Sequence, residues 1–105
     1  MASKKLRMSA IQKALIKEGE ELRAKIDQIA EDNGDEEMLV ADGLDPAIVG
    51  VTEASEPVVV YDYDKCIEVF RIIDKMDEED AIEHMSFNVT GAYVGRRTPI
   101  FVRFV

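Results

Sequence analysis

The stretch VVVYDYDKCIEVF, from Val58 to Phe70, changes period part-way along. From Val58 to Tyr63 the side chains alternate as on a pleated strand. Val58, Val60 and Asp62 are set to one side, and Val59, Tyr61 and Tyr63 to the other. Beyond Asp64 the apolar residues Ile67, Phe70 and Ile73 recur at three-residue spacing, with Cys66 and Val69 beside them, which is helical. A strand must therefore feed directly into a helix, with Asp62 or Asp64 as the cap. Asp64 in the first turn also complements the helix dipole. Bulk on both strand faces requires cover on at least one side.

The flanking segments extend this pattern. AIVGVTE (47–53) has the β-branched content of a strand, and EASE (53–56) turns the chain into Pro57 and the strand just described, a hairpin. MDEEDAIEHMSFNVTGAYV (76–94) reads as a second helix capped by Asp77, with Asp80 three positions later as in a capping box. Its apolar stripe is Ala81, Ile82, Met85, Val89 and Tyr93. Gly95-Arg96-Arg97-Thr98-Pro99 then turns the chain into a last strand, PIFVRFV. The expected fold is α+β: an N-terminal helix followed by a β-β-α-α-β module over 38–105. Its small three-stranded antiparallel sheet carries the helices on one face. Such a sheet has an open edge, which favours pairing with another chain.

Residues 8–31 supply the N-terminal helix, within a segment spanning 1–32. Ser9 is its cap, and Met8, Leu15, Leu22 and Ile29 fall seven apart, widened into a stripe by Ile11 and Ile26. The stripe either folds back on the chain's own core or zips to another copy or another protein, so these six residues are the candidate oligomerisation set. Glu18, Glu21 and Lys25 supply charge pairs on the wet face. Gly19 interrupts the helix at a cost of about 1 kcal/mol relative to Ala. EDNGDEE (31–37) ends it, with Asn33-Gly34 at the stop. That loop lacks the calcium-loop spacing and reads as a solvated acidic turn.

Three pieces fall in order: DGLDPAIVGV, VYDYDKCIEVF and DEEDAIEHMSFNVTGAYVGRRTPIFV. Together they resemble a family of small proteins encoded by bacteriophages and prophages. That family follows a pattern D-G-x-x-x-A-I-x-G, then Y-D-x-x-K-x-I, then F-N-x-x-G-A-Y-x-G-x-x-T-P. The resemblance covers residues 42–102 and omits the N-terminal helix. Met85-Ser86 and Arg96-Arg97 depart from it. The resemblance implies one compact module of phage-type origin and carries no catalytic residue with it.

Charge narrows the function. Residues 1–30 hold seven Lys/Arg against four Asp/Glu, and residues 31–105 hold six against eighteen, so +3 and −12 make the net −9. An acidic body of this kind repels nucleic acid and attracts a basic protein surface. The candidate partner-binding carboxylates are Asp35, Glu36, Glu37, Asp74, Asp77, Glu78 and Glu79. Homo-oligomerisation is also expected. A single cysteine, Cys66, and no apolar run of the roughly 20 residues needed to span a bilayer point to the cytoplasm, with no membrane association and no secretory signal.

The competing site is a small anionic or nucleotide ligand held by Asn88, Tyr93, Arg96 and Arg97. The structural reading of the same residues makes Asn88 and Gly91 packing elements and the arginines partners of the helix C-terminus and the acidic body. His84 is the one histidine, too few for a usual zinc site, and Cys66 falls on the apolar stripe as a buried thiol. No cofactor, metal or catalytic residue is expected. The function read from the sequence is that of a phage-type accessory protein. It binds and inhibits a host macromolecule through its acidic surface and is not an enzyme.

Overall fold

The computed structural model describes residues 8–105. Helix α1, Ala10–Asp32, opens on a complete capping box. Ser9 Oγ accepts from the Gln12 amide at 3.1 Å, and Gln12 Oε1 accepts from the Ser9 amide at 2.9 Å. A turn of 3₁₀ helix at Asp45–Ala47 leads into strand β1, Ile48–Val51, and strand β2, Val59–Asp62, follows. Helix α2, Tyr63–Ile72, starts at once, with the Asp62 carboxylate accepting from the Lys65 amide at 3.3 Å. Helix α3, Glu78–His84, is capped by Asp77, and a π-helical turn, Met85–Thr90, continues it. Strand β3, Ile100–Val102, is the last element.

The sheet has three strands in the order β1-β2-β3. β1 and β2 form the antiparallel hairpin, with an irregularity between Ile48 and Gly50. β3 runs parallel to β2, pairing Val60 with Ile100, Tyr61 with Phe101 and Asp62 with Val102. The sheet is therefore mixed, where the sequence suggested an antiparallel one. The cause is the connection: two helices carry the chain from the end of β2 back to its start, and a crossover of that kind returns a strand in the same direction.

Val59 and Tyr61 are fully buried on the helix-bearing face, with Leu44, Cys66, Val69 and Met85. The Tyr61 ring stacks on Phe101 at 5.2 Å, and its hydroxyl accepts from the Ala41 amide at 2.7 Å. Burial pushes its pKa up to about 12. α1 joins this same core. Leu15 and Ile26 are buried in it, and Leu22 packs against it. Gly19 faces the 3₁₀ turn so closely that a Cβ would stand 2.9 Å from Pro46 Cδ. Gln12 Nε2 donates to the Ile72 carbonyl at 2.9 Å, tying the first turn of α1 to the end of α2. Of the candidate oligomerisation set, Leu15, Leu22 and Ile26 are thus used inside the chain and Ile29 is half-buried. Only Ile11, 66% exposed, and Met8 remain open to another molecule.

The helix expected over 76–94 ends early. The turn at Met85–Thr90 is wider than α, and the Thr90 hydroxyl donates to the carbonyl of Met85, five residues back, at 3.1 Å. Ala81 and Met85 are buried and Val89 packs on the core, so the stripe holds through the turn; Ile82, ahead of it, is exposed, and Tyr93, past the end of the helix, is 77% exposed. Gly91 fits the wide turn because a Cβ there would lie 2.6 Å from the Ser86 carbonyl oxygen.

Candidate functional site

The π turn and the segment after it form one wall of a cleft at the β3 edge of the sheet. Its floor is Phe70, Val89 and Phe101, its opposite wall is the extended segment Leu39–Ala41, and Val94 and Pro99 close it; its volume is about 440 Å³. His84 and Asn88, one turn apart, face each other across 3.2 Å between Asn88 Nδ2 and His84 Nδ1. The imidazole also stands edge-on to the Phe70 ring, 4.7 Å between centroids. Thr98 is spent internally, donating to the Gly95 carbonyl at 2.5 Å and accepting from the Val94 amide at 2.9 Å.

The four candidate ligand residues do not converge on this cleft. Asn88 lines it. Tyr93 stands out in solvent. Arg96 bonds Glu56 at 3.0 Å on an exposed surface. Arg97, its side chain 12% exposed, donates to the Asp35 carboxylate and to the Pro57 carbonyl at 2.8 Å and 3.2 Å. Arg97 thus ties three loops together: the one after α1, the β1–β2 turn and the approach to β3. The bond from Arg97 holds the Asp35 carboxyl below the usual carboxylate range and raises the arginine in turn. The twin arginines serve the fold and the acidic body. Arg97 also lines a separate depression with Asp35, Thr52, Ser55 and Pro57, where Asp35 offsets its charge.

The carboxylates sort likewise. Asp35 is withdrawn by Arg97 and is not available to a partner. Asp77 is exposed but accepts from the Asp80 amide at 2.8 Å as the cap of α3. Glu36 and Glu37 are exposed after α1, while Asp74, Glu78 and Glu79 are exposed around the α2–α3 turn. Next to that second group lies a shallow depression shared by Met76, Asp80, Glu83, His84, Phe87 and Asn88. Phe87 stands at its rim, 76% exposed.

No family model, curated protein or solved structure matches this chain.

The site is accordingly defined by its own residues. Among the described residues no group of three or more His, Cys, Asp or Glu side chains is placed to hold a metal ion. No helix among them is long and apolar enough to cross a membrane. Cys66 is fully buried, its thiol pushed up to about 12 by burial, and His84 pairs with Asn88, so a nucleophilic Cys–His couple is not formed. Glu83, Phe87 and Asp42 are not among the site residues expected from the sequence, and Asp80 is expected there only as part of the cap. A strict helical period leaves Phe87 at the edge of the apolar stripe and puts Tyr93 inside it, whereas Tyr93 lies past the end of the helix.

Proposed function

We propose that this chain is a phage-type accessory protein that acts in the host cytoplasm by binding, and inhibiting, a host protein with a basic surface. The carboxylates of the α2–α3 turn and α3 would meet that surface. The observation that carries the reading is Phe87, an exposed aromatic ring that shares a shallow depression with the carboxylates of Asp80 and Glu83. An aromatic anchor set among like charges suits a partner that presents an apolar pocket rimmed by Lys and Arg. A net charge of −9 disfavours nucleic acid as the partner. The fit of DGLDPAIVG and FNVTGAYVGRRTP to the phage pattern supports the origin. Affinity capture from an expressing host at low and raised salt tests the reading. The retained protein should be basic and should elute as salt rises, because charges at the rim of an interface are screened. A partner that is acidic, or held equally at both salt levels, contradicts it.

A second reading is self-association. It is favoured by Ile100 and Val49, exposed on the sheet, and by Ile11 on α1. Sedimentation at increasing concentration reports it, and Ile11→Glu or Ile100→Lys should restore the monomer.

A further inference from the structure

The cleft between the π turn and the β3 edge has a chemistry that the binding of a basic protein through α3 does not use. The geometry points to it as a ligand site for a small apolar molecule, of one or two aromatic rings, that carries a single cationic amine. At about 440 Å³ it falls in the size range of small-molecule pockets. Phe70, Phe101 and Val89 give it an apolar floor. Its polar groups are one-sided. With Asn88 Nδ2 donating to His84 Nδ1, the amide oxygen of Asn88 is left as an acceptor. Asp42 lines the cleft and is its one carboxylate, while neither Arg nor Lys lines it among the described residues. Arg96 and Arg97, between the lining residues Val94 and Thr98, are turned away onto Glu56 and Asp35. Anionic ligands therefore meet no Arg or Lys here, whereas an amine meets the carboxylate of Asp42.

Two isosteric probes test the sign directly. Tryptamine and indole-3-acetate share a ring and a two-carbon arm and differ in the charge at its end. Each is titrated at low ionic strength into the full chain, with the methyl NMR signals of Val40, Val89, Ala92 and Val94 as the readout. Tryptamine should bind with a dissociation constant on the order of 1 mM or tighter. It should exceed indole-3-acetate by about two- to fivefold, the strength of an exposed charge pair. Asp42→Asn, a change at an exposed turn residue, should remove the preference while leaving the native spectrum intact. Equal or tighter binding of indole-3-acetate overturns the proposal. So does the absence of shifts at these methyls with tryptamine, or a preference that survives Asp42→Asn.

Discussion

Gly19 lies against the ring of Pro46: a Cβ built on it would stand 2.9 Å from both Pro46 Cγ and Cδ. Helix propensity alone makes Gly19→Ala stabilising by about 1 kcal/mol. The contact reverses the sign, because the neighbour is a rigid ring on a turn that itself packs on α1. Chemical denaturation of Gly19→Ala should show a net loss of about 1–3 kcal/mol, the usual cost of overpacking. A gain in stability would mean that α1 does not sit on the 3₁₀ turn.

Gln12 both completes the capping box and reaches Ile72, sixty positions on. Gln12→Ala removes the two bonds made by its side chain, strips the Ile72 carbonyl of its partner and should cost about 2 kcal/mol. Ser9→Ala removes only the other half of the box and should cost about 1 kcal/mol. Equal losses would show that the bond to Ile72 contributes nothing.

The Arg97–Asp35 pair carries a pH signature. Because Asp35 titrates lower in the folded state than in the unfolded chain, its contribution is present above the unfolded value near 3.8. It is lost as pH falls through the folded one. Thermal unfolding should place Arg97→Ala below wild type at neutral pH, and the gap should narrow below pH 3.8. It should not close, since the bonds to the Pro57 carbonyl do not titrate. Arg96→Ala, which loses only an exposed pair, should be nearly neutral.

Cys66 should be silent towards thiol reagents. Its sulfur is fully buried and its pKa lies near 12, so disulfide reagents at mildly alkaline pH should label it only on unfolding. Rapid labelling of the native chain would contradict the packing of α2.

Gly91→Ala tests the π turn. A methyl 2.6 Å from the Ser86 carbonyl forces the turn to open or tighten. The change should cost about 1–3 kcal/mol and shift the NMR signals of Asn88 and His84 together.

What was legible in the sequence was what is local. Ser9, Asp62 and Asp77 announce their helices because a cap acts within three residues. The strand-to-helix switch at Asp62 was likewise written in the period. The direction of β3 was not, since it depends on where a two-helix crossover delivers the chain. The π turn was invisible because one extra residue per turn leaves no mark in composition, yet the exposed Phe87 stands on it. The pairing of Arg97 with Asp35 was not legible, because the two lie sixty-two positions apart. Gly19 was read as a flaw because propensity knows nothing of Pro46.

The claim on which the functional account depends is that the carboxylate-flanked ring of Phe87 is the recognition surface. The most direct measurement compares wild type with Phe87→Ala and with Asp80→Lys/Glu83→Lys, titrated against the basic protein captured from the host, at two salt concentrations. The account predicts that Phe87→Ala weakens binding about tenfold or more with its salt dependence kept, and that the charge reversal abolishes binding at low salt. Native folding of each variant is checked by its NMR spectrum. Unchanged affinity in both natively folded variants would contradict it.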